Sequence, residues 1–196
     1  GELETGVSLM QIDRKMDAGA VADMEVVSIE KEDDALSVRM KIGEATIPIL
    51  ERSMEDLLNN ELAFKKQDEE SISHCRKLTK EDGLIDFELS AEAIYNRWRA
   101  FKTWPNTFCF HGENRIKVGQ MEICESALSA NELSLACGSV ILEKDCLKVV
   151  TSNGLIRLLE LQKAGGKMLK VSDFLRGYAM KSGDCLKGQK STPLVM

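Results

Sequence analysis

Arg99-Ala100-Phe101-Lys102-Thr103-Trp104-Pro105 marks the point where one residue pattern gives way to another. Upstream, Ser90 is a good helix N-cap and Ala91-Glu92-Ala93 opens the helix behind it. Ile94, Trp98 and Phe101 follow at i, i+4 and i+7, so they share one face, and Arg97 and Arg99 point away from it. Pro105 cannot continue that helix and biases Trp104 towards an extended conformation. Downstream, short strand patterns recur at Thr107–Phe110, Ile116–Ile123, Ser139–Leu142, Leu147–Thr151 and Leu155–Leu161. The punctuation between them is His111-Gly112-Glu113-Asn114, Lys144-Asp145 and Ser152-Asn153-Gly154, and Asn-Gly between apolar runs signals a hairpin. Val171 to Tyr178 reads as a short closing helix, and the Gly-, Lys- and Ser-rich residues 181–196 read as a frayed tail. Residues 78–180 are therefore expected to form a small β-barrel with a leading helix.

Before the junction the pattern differs. Val7 to Ile12 alternates as a strand, Met16-Asp17-Ala18-Gly19 turns the chain, and Val21 to Ile29 forms a second strand. Asp33-Asp34 can cap a helix from Ala35, whose apolar positions include Leu36, Met40, Ile47, Leu50, Met54, Leu57 and Leu58. Pro48 is expected to kink or interrupt it. Two strands and one helix bury too little to stand alone, so residues 1–59 read as the back end of a larger α/β domain. Residues 60–77, with the charged run Lys65, Lys66, Asp68, Glu69 and Glu70, read as a linker. The chain opens on Gly1-Glu2-Leu3-Glu4-Thr5-Gly6, and the expectation is a start in mid-domain.

Charge is unevenly spread. The formal net charge is −6, but residues 1–75 carry −10, residues 76–160 carry −1 and residues 161–196 carry +5. A basic C-terminal end points to a polyanion partner, or is simply a solvated tail. The six cysteines show no C-x-x-C spacing, so no structural zinc is expected and buried reduced thiols are. His74 and His111 lack catalytic company and read as structural or surface residues. No apolar run approaches the roughly 20 residues that span a bilayer. The expectation is a cytoplasmic protein without membrane contact, and a monomer.

Five segments in order resemble methionyl-tRNA formyltransferases. Glu4-Thr5-Gly6-Val7-Ser8-Leu9-Met10-Gln11-Ile12-Asp13 is similar to the family's E-T-G-V-T-I-M-Q-M-D strand, and Met16-Asp17-Ala18-Gly19 to its L-D-T-G turn. Residues Lys77 to Phe87, K-L-T-K-E-D-G-L-I-D-F, are similar to K-I-x-K-E-D-G-x-I-D-W. Arg99-Ala100-Phe101 with Trp104-Pro105 resembles R-A-F-x-P-W-P, and Leu161 to Met168 resembles L-Q-x-x-G-K-x-M. The resemblance implies α/β plus β architecture: the C-terminal remnant of a Rossmann-like formyltransferase domain, then an OB-like β-barrel. It also implies formyl transfer from 10-formyltetrahydrofolate to the amino group of methionyl-initiator-tRNA.

In that family an Asn, a His and an Asp carry the chemistry, moving protons and stabilising a tetrahedral oxyanion. The Asn, the His and the folate-gripping loop would lie upstream of Gly1. The Asp position of the family's Gly-Asp-x-x-Thr-Gly motif is occupied here by Glu2. Glu2 keeps the carboxylate but carries it about 1.5 Å further, a displacement that can cost about 100-fold in rate. Either Glu2 is a working carboxylate with a shifted backbone, or it has no role in this stretch of chain. For the polyanion, the residues singled out are Lys77, Lys80, Arg97, Arg99, Lys163, Lys167 and Lys170. Arg99 and Lys80 also read as junction residues paired with Asp82 or Asp86, and Phe101 and Trp104 as an aromatic pair packed at the corner. Two other functions remain open: a non-catalytic RNA-binding module, and a relative that formylates a sugar nucleotide.

Overall fold

The computed structural model describes residues 1–68, 70, 72–124 and 134–195. Glu69 of the charged run and the last residue of the tail lie outside the described residues. The chain divides into two compact units, residues 1–75 with the last two residues, and Arg76–Leu194.

In the first unit, β1 (Glu4–Met10) and β2 (Val21–Ser28) form an antiparallel hairpin. Asp17, in the left-handed region at φ 54°, turns the chain between them. Helix α1 (Ala35–Asn59) follows. Asp34 caps it, accepting from the Leu36 and Ser37 N–H groups, while the Ser37 hydroxyl accepts from the Asp34 N–H. Asn60 ends it in the left-handed conformation.

Contrary to the interruption expected at Pro48, α1 runs through it as one helix. Pro48 lacks the N–H that would pair with the Glu44 carbonyl, and both residues are exposed. Ile49 and Ser53, one turn on, are buried. Arg52 adds a clamp, donating to Asp23 at 2.5 Å, to Glu25 at 2.6 Å and to the Met24 carbonyl at 3.1 Å. The opposite stripe is bare: Leu36, Met40, Ile47, Leu50, Met54 and Leu57 are between 41% and 61% exposed.

The stretch read as a linker is partly structured. Lys65 and Val21 exchange two backbone hydrogen bonds of 2.8 Å, and the Gln67 amide donates to the Asp17 and Gly19 carbonyls. Residues 60–68 thus belong to the first unit. The Lys65 backbone pairs with the hairpin, a use that a polar, aperiodic sequence does not reveal.

The second unit begins with a 3-10 turn, Glu81–Gly83, and helix α2 (Ala91–Phe101), capped by the Ser90 hydroxyl. Strands β3 (Thr107–His111), β4 (Asn114–Ile123), β5 (Val140–Glu143), β6 (Cys146–Val150) and β7 (Leu155–Lys163) follow. Then come β8 (Leu169–Lys170), helix α3 (Val171–Gly177) and β9 (Leu186–Lys187). Among the described residues, seven strands form an antiparallel sheet in the order β5-β6-β7-β4-β3-β9, with β8 paired to β7. A bridge between Ser139, beside β5, and Cys185, beside β9, brings the two ends of that path together, so the sheet is barrel-like. Its interior holds Cys109, Ile116, Leu147, Val149, Ile156, Leu158 and Leu161, with Ile94 and Trp98 of α2 and Phe174 of α3 packed against them.

Two expectations fail here. The segment read as a frayed tail is docked: Leu186 is buried, its N–H donates to Gly138, and the Gln189 N–H donates to the Ile85 carbonyl. The His111 ring reaches the Tyr178 hydroxyl at 3.0 Å and Asp184 at 3.2 Å, pinning the same segment. A two-residue strand between glycines and lysines leaves no periodic trace. The aromatic corner also splits. Phe101 is buried, but Trp104 is 47% exposed.

Candidate functional site

The basic residues singled out from the sequence all occur in the second unit. They do not form one cluster around the junction. The 3-10 turn carries Lys80 and Asp82. Lys80 is exposed, while Asp82 is buried and held by the Arg76 guanidinium at 2.8 and 2.5 Å. The Thr79 N–H also donates to Asp82, at 2.7 Å. Hydrogen bonding from Arg76 outweighs burial and holds the Asp82 carboxyl well below the usual carboxylate range. The pairing of Lys80 or Arg99 with Asp82 is therefore not made: a bidentate guanidinium takes both oxygens. Asp86 instead accepts the N–H groups of Glu88 and Ser191.

Arg97 and Arg99 of α2 are both half-buried, and Arg97 turns back over the buried Phe101, contrary to the expectation that it points away from that face. Arg97 donates to the Asp82 carbonyl at 3.3 Å and lies over the Phe101 ring at 5.1 Å. Burial lowers its pKa against the pull of Asp82 and Asp86. Arg76 and Arg97 line one 230 Å³ cavity with Thr79, Asp82, Lys190 and Ser191. Arg99 Nε donates to Asn96 at 2.9 Å. Arg76 was not among the residues singled out. Its signal in the sequence was an arginine six residues before an aspartate, which acquires meaning only once a turn folds them together.

Lys163, Lys167 and Lys170 are exposed along the β7–β8 hairpin. The Gln162 amide donates to the Gly166 carbonyl and shapes that turn. Met168 folds back over Gly119 of β4, where an added Cβ would meet its sulfur at 2.5 Å. Lys170 sits opposite Glu160 on β7 and lines a 510 Å³ cavity with Gln120, Cys146 and Arg157. Lys77 is exposed.

Glu2 is exposed and precedes β1. It lines neither of the cavities just described nor a third of 340 Å³ beside Gln11 and Gln67. Among the described residues no cluster of His, Cys, Asp and Glu could hold a metal, and no helix is long and apolar enough to cross a membrane. The six cysteines are free. Against the expectation of buried thiols, Cys109 alone among them is buried; Cys75 and Cys185 are exposed. Burial pushes the Cys109 thiol up to about 12.

Residues 77–179, more than half of the chain, match the formyl transferase C-terminal domain family. The chain belongs to that family. Its relatives include the methionyl-tRNA formyltransferase of Caldicellulosiruptor saccharolyticus, 31% identical over 95% of this chain and 58% of that protein. The chain thus spans a little over half the length of this curated relative. Similar solved structures include an N-formyltransferase from Helicobacter canadensis in complex with folinic acid and dTDP-3-aminofucose. It has a TM-score of 0.62 and 19% identity, over 83% of this chain and 56% of that one. HypX from Aquifex aeolicus, in complex with tetrahydrofolic acid, has a TM-score of 0.60 and 17% identity, over 89% and 30%. At that identity they share the fold with this formyltransferase-family chain.

Proposed function

We propose that this chain serves formyl transfer from 10-formyltetrahydrofolate to the amino group of methionyl-initiator-tRNA, as part of a longer polypeptide. The observation that carries the reading is the 31% identity to a methionyl-tRNA formyltransferase over 95% of the chain, which takes in both units. In this reading residues 1–59 are the last part of a Rossmann-like catalytic domain. The bare stripe of α1 supports it, since an apolar face of that length on a folded protein has a partner. Glu2 stands in for the family's aspartate as the proton-handling carboxylate. Residues 78–180 are the OB-like tRNA-binding domain, and Lys80, Arg97, Arg99, Lys163, Lys167 and Lys170 contact phosphates. Exposure of Lys80, Lys163, Lys167 and Lys170 supports those four contacts. Arg97 is committed to the Asp82 carbonyl and the Phe101 ring, so its contribution is the smaller.

The test is an acceptor assay on the polypeptide that carries this sequence, supplied with 10-formyltetrahydrofolate. Formylmethionyl-tRNA is the expected product. Transfer to a dTDP-amino sugar with none to methionyl-tRNA would establish the sugar-nucleotide reading instead. No transfer to either acceptor, with tRNA still bound, would leave an RNA-binding module.

A further inference from the structure

The outer face of the sheet around β3 carries an aromatic and basic surface. The hairpin register sets Phe110 opposite Arg115 and Phe108 opposite Lys117, and the β9 register sets Phe110 opposite Lys187. Cross-strand partners share a face, and residues alternate along a strand. Cys109 and its partner Ile116 are fully buried, which fixes Phe108, Phe110, Arg115, Lys117 and Lys187 on the other side. The Arg115 guanidinium lies 3.8 Å from the centre of the Phe108 ring. That stacking pre-orients the side chain and leaves its fork of N–H groups directed at no carboxylate among the described residues. The Phe108 and Phe110 rings meet edge to face at 5.9 Å, and Phe110 is half-buried, with part of its ring open to solvent. One strand further, Lys117 faces Gln162, and Lys163 ends β7 opposite Ile116, so the Lys163–Lys167 turn borders the same end of the sheet. No acidic residue occupies a partner position on this face from β9 through β3 and β4 to Gln162; Glu113 sits beyond the strand ends, in the turn.

We infer that this face binds an unpaired segment of RNA, with Phe110 stacking on a base and Arg115, Lys117 and Lys187 holding the flanking phosphates. Uncompensated cations interleaved with an accessible ring are what such a strand requires: phosphates set the affinity, and an aromatic face accepts any base. The inference rests on the proposed tRNA substrate but adds residues and a mode of contact which that reading did not contain. The counter-reading makes Phe108 and Phe110 plain edge packing beside Leu84, which bridges Phe108. That reading explains Phe108, which is buried, but leaves Phe110 and the three cations without a role.

Binding of the full chain to initiator tRNA, measured across a salt series, tests it. Arg115→Gln, Lys117→Gln and Lys187→Gln are each expected to flatten the slope of log K against log salt by about one. Phe110→Leu, which keeps an apolar side chain but removes the ring, is expected to weaken binding about 5- to 100-fold with the slope unchanged. Lys144→Gln, in the β5–β6 turn, is the control and should change neither. Thermal melts of each variant separate a folding defect from a binding one, and the three charge variants keep the proposal testable should Phe110→Leu unfold. Tight binding with all four variants at wild-type affinity and slope would overturn this surface alone. Absence of any tRNA binding by the wild-type chain would overturn the substrate reading with it.

Discussion

Asp82 shows how one residue's chemistry governs its neighbourhood. Its carboxylate is buried, yet ionised, because Arg76 and the Thr79 N–H surround it. The folded pKa lies below the unfolded one, so the pair stabilises the fold above the ordinary aspartate pKa near 3.9, and that contribution is lost as pH falls through the folded value. Asp82→Asn should cost about 2–3 kcal/mol at neutral pH, because it leaves a guanidinium without its acceptor. Between pH 5 and 2 the variant's melting temperature should also fall less steeply than the wild type's, as followed by circular dichroism. Glu2 belongs to the same scale. If it is the proton-handling carboxylate, Glu2→Gln in the whole polypeptide should lower kcat by about 100-fold or more with KM little changed. Steady-state kinetics decide this, and an unaltered kcat would remove Glu2 from the reaction.

At the scale of the element, α1 and β9 carry the expectations that failed. Helix α1 tolerates Pro48 because both its ends are capped and Arg52 clamps it to the hairpin. Pro48→Ala should therefore restore a backbone hydrogen bond and stabilise the first unit by about 1–3 kcal/mol, read in thermal denaturation of the full chain. Leu186 is buried where the terminal segment pairs with β3, so Leu186→Ala should cost about 2–5 kcal/mol by chemical denaturation. The sequence was legible where a period and a turn residue agreed. The face Ile94–Trp98–Phe101, the hairpin at Asn153-Gly154 and all five predicted strands of the barrel-like sheet are present within one or two residues of their predicted bounds. It was illegible where a pairing joins distant residues. Lys65 with Val21, Leu186 with His111, and Arg76 with Asp82 each depend on a contact that no local pattern encodes. The same limit hid Arg115 and Lys117: their period-two spacing was visible, but the phenylalanines opposite them appear only with the register.

For the whole molecule, both units bear on the proposed function. The first offers a capped helix with an apolar stripe and an exposed carboxylate at Glu2. The second closes a barrel-like sheet around its own core and puts its uncompensated cations on the outer face and the β7–β8 turn. The basic residues concentrate after residue 160, at +5 against −10 in residues 1–75, so a polyanion should bind the second unit and be repelled by the first. Phosphate contact by the second unit makes the affinity salt-dependent, and the salt dependence of initiator-tRNA binding to the full chain tests that contact most directly. With at least four phosphates neutralised, log K should fall linearly with log salt at a slope of about −3 or steeper. A flat response, or no binding at low salt, would contradict it.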